Sequence, residues 1–144
     1  MSGNGHRLLC GLVVGMTWLA CLGEQAATGV VNVLDHGATG DGTTLNTEAL
    51  QEAIAACAEN KGGTVLVPAG VYRTGPIELR SDVTLQLEAG AVIRASERIE
   101  DHRAGGRARP LIWARDAVNV TVCGHGTIDG RGTTFMQLDQ VRTD

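Results

Sequence analysis

The sequence predicts a strand-rich solenoid opened by a single helix, and three observations carry that reading. Downstream of residue 62, apolar and polar residues alternate in runs of only three to five, with turn residues between the runs. The composition agrees: 20 of the 144 residues are glycine and 3 % are aromatic, which suits tight turns and β-branched strands better than a large aromatic core. The third observation is Val118-Asn-Val-Thr-Val-Cys-Gly-His-Gly-Thr-Ile-Asp-Gly-Arg-Gly132, where a strand-like alternation runs straight into four glycines. Strands this short and closely spaced suit stacked coils, each strand pairing with its counterpart one coil earlier. No fixed repeat period is visible, so a sandwich or barrel with an added helix is the structural alternative.

Residues 1–23 stand apart. Arg7 is their only Lys, Arg, Asp or Glu, and Leu8 to Leu22 is an almost unbroken apolar run of 15 residues. That is short for a bilayer span and fits the apolar region of a secretory signal. The expectation is an exported protein, periplasmic or extracellular, with residues 24–144 as one domain. Trp18-Leu-Ala-Cys21 resembles a bacterial lipoprotein box, which makes Cys21 a candidate lipid anchor; cleavage after Gly23 is the alternative.

Val30 to Val33 reads as a short strand, and Asp35 to Thr44 as a loop rich in turn residues. Asn46 or Thr47 is placed to cap the next element, with Glu48 in its first turn. Ala49, Leu50, Ala53, Ile54 and Cys57 then form an apolar stripe of helical period, and Gly62 and Gly63 end the helix. Strands are expected at Thr64–Val67, Val71–Thr74, Ile77–Leu79, Val83–Leu87 and Ala91–Ala95. Ser96 to Pro110 interrupts them with a charged loop that reads as solvated surface. In the last strand Val118, Val120 and Val122 would face inward and Asn119 and Thr121 outward. Tyr72 and Trp113, by their strand patterns, would also pack inward.

The formal net charge of −4 gives no electrostatic footprint for nucleic acid. No Cys-x-x-Cys or His-rich spacing suggests a metal site, and no cofactor or stable protein partner is expected. Cys57 and Cys123 read as two buried free thiols, although an oxidising compartment would permit a disulfide.

Four stretches, in order, carry a family resemblance. They are Gly37-Ala-Thr-Gly-Asp-Gly42 leading into Asn46-Thr-Glu-Ala-Leu-Gln-Glu-Ala-Ile54; Gly62-Gly-Thr-Val-Leu-Val-Pro-Ala-Gly-Val-Tyr72; Leu79-Arg-Ser-Asp-Val-Thr-Leu-Gln-Leu-Glu-Ala-Gly-Ala-Val-Ile93; and Arg109-Pro-Leu-Ile112 with Gly124-His-Gly-Thr-Ile-Asp-Gly-Arg-Gly132. Together they resemble the N-terminal part of the polygalacturonase-type glycoside hydrolases, family 28, in the pectate-lyase-like superfamily. The resemblance implies a right-handed parallel β-helix, N-terminal coils only, whose first coil is covered by the helix at 47–59. It implies a pectin-type polysaccharide as the substrate of the full-length enzyme, hydrolysed with inversion.

The resemblance also says where the chemistry should be. Inverting glycosidases place one carboxylic acid on the leaving oxygen and carboxylates on the opposite side to activate water. The family carries these in an Asn-Thr-Asp and an Asp-Asp motif, followed by a substrate-binding Gly-His-Gly and Arg-x-Lys. Neither acidic motif occurs in this sequence, nor does Arg-x-Lys. Asn46-Thr-Glu48 is close to the first but opens the capping helix. His125, inside Gly124-His-Gly126, and Asp129 are the weak catalytic candidates. The context of His125 is the structural Gly-x-Gly-x-Ile-Asp-Gly element of the family, and Asp129 reads as a turn-former. The expectation is a truncated N-terminal portion that does not hydrolyse substrate alone. A non-catalytic carbohydrate-binding or adhesion module on the same scaffold is the alternative.

Overall fold

Strand-forming runs of three to five residues, each ended by turn residues, stack in columns of parallel strands. The computed structural model describes residues 29–104 and 107–132. In chain order the elements are β1 (Gly29–Asn32), a 3₁₀ turn at Val33–His36, β2 (Asp41–Leu45), α1 (Thr47–Glu59), β3 (Gly63–Val67), β4 (Gly70–Thr74), β5 (Ile77–Leu79), β6 (Val83–Leu87) and β7 (Ala91–Ala95). A second 3₁₀ turn at Ile99–His102 leads to β8 (Arg103–Ala104), β9 (Arg107–Ala108), β10 (Ile112–Ala114), β11 (Thr121–Gly124) and β12 (Thr127–Asp129).

Three parallel sheets result: β1-β3-β6-β11, β2-β4-β7-β12 and β5-β10. Each coil visits the sheets in turn, which makes the chain a right-handed parallel β-helix with one helix. Thr64 pairs with Thr84, twenty residues on, but Thr84 pairs with Thr121, thirty-seven on. The second coil therefore carries an insertion, and it lies between β7 and β10, where β8 and β9 form an antiparallel hairpin.

The period-2 alternation turns into interior columns. Val65 and Leu85 are fully buried, with Val122 in register on Leu85; Tyr72 and Ile93 are buried, with Ile128 on Ile93. Ile77 lies under Ile112 in the third sheet. Each fully buried aliphatic side chain here contributes roughly 1.5–3 kcal/mol. Val122 faces the same column but stays 45 % exposed, because among the described residues no strand lies beyond β11. Val118 is 62 % exposed and precedes the strand, which begins at Thr121; the inward alternation expected from Val118 onward starts later.

The helix covers the first coil as its apolar stripe requires. Leu50, Ala53, Ile54 and Cys57 are all fully buried. Its end is a Schellman turn: Gly62 N donates to Cys57 O and Lys61 N to Ala58 O, both at 3.1 Å. The left-handed residue of that turn is Lys61, φ 64°, one position earlier than the glycines expected to stop the helix.

Two further expectations are corrected. Asp41–Thr44, read as loop, forms with Leu45 the strand β2 against β4, with an irregular register in which Asp41 meets Val71 and Leu45 meets Arg73. Asn46 stands at the N-cap position, yet its side chain caps nothing. Buried, it accepts from Thr39 N at 2.7 Å and donates to Thr39 O and Thr44 O, closing the loop before β2 onto the strand's end. A buried amide that can satisfy both its oxygen and its nitrogen on backbone groups is better used there than on a helix terminus exposed to water.

Candidate functional site

The insertion builds a recess at the corner of the second coil. Ser96 N donates to Thr74 O, extending the sheet ladder one residue past β7, and the chain then turns outward. The Ser96 hydroxyl donates to the Asp101 carboxylate. His102, 8 % exposed, folds back so that Nε2 lies 2.8 Å from Ser96 O. A carbonyl oxygen only accepts, so Nε2 carries the proton. Arg109 N then donates to His102 O at 2.9 Å, which returns the chain toward β10. The outcome is a cleft of about 290 Å³ whose lining includes Ala95, Ile99, His102, Arg109, Leu111 and Gly130. The charged loop read as plain solvated surface thus has an organised interior.

Trp113 borders this region and is a second correction. It pairs with Glu78, between Ile112 on Ile77 and Ala114 on Leu79, so it lies on the outward face of β10. The Arg109 guanidinium carbon is 4.5 Å from its ring centroid and that of Arg115 is 5.2 Å away. Cation–aromatic contacts of this kind are worth ~0.5–1 kcal/mol each at exposed sites, and they fix where the guanidinium groups sit. Tyr72, by contrast, packs inward at 1 % exposure, as its strand pattern predicts.

The two weak catalytic candidates stand at opposite ends of β12. His125 is exposed on the turn from β11, with its backbone N–H donated to Leu87 O at 2.9 Å. Asp129 lies in register over Arg94, with Oδ2 3.5 Å from Arg94 Nε. Its Oδ1 accepts from Arg131 N at 3.0 Å, closing a turn. Arg131 in turn pairs with Glu97. The structure does not bring His125 and Asp129 together, and neither lines the cleft. Asp101 and Asp129, the sequence neighbours of the lining residues His102 and Gly130, are each already engaged by a donor.

Among the described residues no three His, Cys, Asp or Glu side chains are grouped to hold a metal ion, and no helix is long and apolar enough to cross a membrane. The apolar run at 8–22 and the candidate anchor Cys21 lie outside the described residues. Cys57 and Cys123 are both free thiols; Cys57 is buried, but Cys123 is exposed, pointing outward beside Gln86.

A stack of short parallel strands in three sheets, capped by a helix and broken by a corner insertion, defines a pectate-lyase-like β-helix protein. The family model described as rhamnogalacturonase A/epimerase, pectate lyase-like, matches residues 30–108, and the chain belongs to that family. Among its relatives, the exo-poly-α-D-galacturonosidase of Dickeya chrysanthemi is 42 % identical over 120 residues, covering 72 % of this chain and 20 % of that protein. The family 28 exopolygalacturonase of Yersinia enterocolitica superposes with a TM-score of 0.64 at 42 % identity, over 70 % of this chain and 20 % of that one. The hyperthermoactive exopolygalacturonase of Thermotoga maritima gives 0.65 at 35 % identity, over 71 % and 25 %. The chain thus spans a fifth to a quarter of the length of these relatives.

Proposed function

We propose that residues 24–144 form the cap and opening coils of an exported glycoside hydrolase of the polygalacturonase type, acting on pectin-type polysaccharide. In this reading residues 1–23 direct export, with either Cys21 lipidated or cleavage after Gly23. The observation that carries it is the continuous likeness to exopolygalacturonases across the cap and coils. We assign no hydrolysis to this chain alone. Inverting hydrolysis needs two carboxyl groups about 6.5–9.5 Å apart across the scissile bond. The sequence has no Asp-Asp pair, and Asp129 is tied into an ion pair and a turn. Purified chain incubated with polygalacturonate is expected to release reducing ends no faster than buffer. Release clearly above that level would overturn the assignment.

The outward Trp113 and its two guanidinium neighbours favour a second reading, a carbohydrate-binding module without catalysis. Electrophoresis through a pectate-containing gel tests it. Retardation without reducing-end release supports binding, and unretarded migration rejects it.

A further inference from the structure

We propose that the cleft beneath the insertion is a binding subsite for one hexuronate residue of an acidic polysaccharide, with the Arg109 guanidinium as partner of the sugar carboxylate. The inference deepens the polysaccharide reading above and rests on it. It starts from charge. Between β7 and β10, from Ser96 to Leu111, the chain places four arginines against three acids, Glu97, Glu100 and Asp101, in a protein whose formal net charge is −4. The Glu97 carboxylate is offset by Arg131 from outside the insertion, whereas Asp101 accepts a hydrogen bond from the neutral Ser96 hydroxyl and keeps its charge. With Glu97 offset in this way, the insertion carries a small excess of positive charge on an acidic body.

The shape and lining then select the ligand. At about 290 Å³ the cleft lies at the small end of ligand sites, room for one sugar ring rather than a longer segment. Ile99 and Leu111 give it apolar wall, which suits the C–H face of a pyranose. Arg109 supplies a planar donor fork matched to a carboxylate. Its position is fixed twice, by its backbone N–H on His102 O and by its guanidinium over Trp113. Ion-pair recognition of this kind leaves a neutral sugar with no charged partner, so uronates are favoured over neutral galactose units. Nucleic acid fits poorly, because a single-residue recess in an acidic protein offers neither a phosphate track nor a row of stacking aromatics.

The test titrates the whole chain with trigalacturonate, galactotriose and a mannuronate/guluronate trimer, following heat of binding and the His102 ring resonances. Trigalacturonate is expected to bind and shift His102, and galactotriose to bind at least tenfold more weakly. Arg109→Gln is expected to weaken trigalacturonate at least tenfold. Ile99→Trp, which fills the cleft from a side chain 41 % exposed, is expected to do the same and decides the matter if the arginine variant does not fold. Trigalacturonate binding that both folded variants retain overturns the subsite while leaving the pectin reading standing. Failure of every uronate to bind, or equal binding of galactotriose, also overturns it. Binding of the mannuronate/guluronate trimer alone, lost in Ile99→Trp, keeps the subsite and overturns the pectin reading.

Discussion

Gln51 exchanges two hydrogen bonds with the backbone of Glu78: its Nε2 donates to Glu78 O at 3.0 Å and its Oε1 accepts from Glu78 N at 2.9 Å. Among the described residues β5 has β10 on one side and no strand on the other, so this one amide does for β5 what an earlier coil would do. Thr47 Oγ1 adds to it by accepting from Gly75 N at 2.8 Å. The helix is thus more than an apolar lid, because it also answers the polar edge of the third sheet.

Gln51→Ala would strand one donor and one acceptor in a partly buried place, and we expect it to cost about 1–3 kcal/mol. Gln51→Glu keeps an acceptor for Glu78 N but cannot donate to Glu78 O when ionised, and should recover only part of that loss. Urea unfolding of the three proteins at neutral pH checks the order.

Around His125 the glycines carry the stability and the histidine does not. A Cβ on Gly124, at φ 111°, would lie 2.0 Å from Leu87 O, and one on Gly126 would lie 2.5 Å from Leu87 Cβ. Gly124→Ala is expected to cost at least about 2 kcal/mol through backbone strain and overpacking. His125→Ala, at an exposed position bonded through its backbone, should stay within about 0.5 kcal/mol of wild type. A thermal melt that moves more for His125→Ala than for Gly124→Ala would contradict this.

Asp41 makes a small acid-sensitive latch at the start of β2. Hydrogen bonds from the Thr44 hydroxyl first, then from the backbone N–H groups of Thr44 and Thr43, hold its carboxyl well below the ordinary carboxylate range. A depressed folded-state pKa contributes stability above the unfolded value of 3.8, and that contribution drains away as pH falls from there through the folded value. Asp41→Asn should therefore be less stable than wild type at neutral pH, with the gap closing only in strong acid. Paired unfolding curves across pH measure the gap, and a carbon-detected titration should find Asp41 still ionised at pH 3.

The described thiols should separate cleanly. Burial pushes the Cys57 thiol pKa up and keeps reagent out, whereas Cys123 is exposed. Mass spectrometry after brief treatment of native protein with an aromatic disulfide reagent is expected to label Cys123, with Cys57 labelled only on denaturation. Fast labelling of Cys57 in native protein would contradict its place under the helix.

The coil strands are legible in the sequence because their alternation is clean: Val83, Leu85 and Leu87 point inward, and Thr84 and Gln86 separate them, as period 2 demands. β2 is not, since Asp-Gly-Thr-Thr-Leu has turn chemistry and becomes a strand only through pairing with β4. The face of Trp113 is hidden because Ile112 and Trp113 are both apolar, so alternation alone cannot choose between them; the register on Ile77 and Glu78 does. The cleft is invisible for a related reason. It forms when Arg109 bonds back to His102 and Gly130 arrives from a later coil, contacts that no local pattern encodes. The stacked turns Asp82 and Asn119, φ 63° and 55°, joined by Asn119 Nδ2 donating to Asp82 Oδ1 at 2.8 Å, are equally non-local.

The detour of the second coil leaves Ile112 seated on Ile77 as though no residues had been added. Phase is therefore kept by the sheets and not by chain length, and the corner between β7 and β10 behaves as a splice point. The length of the segment between β7 and β10 does not enter the register of β10 on β5. A scaffold built this way separates the composition of one corner from how the coils stand up, because the pairing of β5 with β10 is the same whatever lies between β7 and β10.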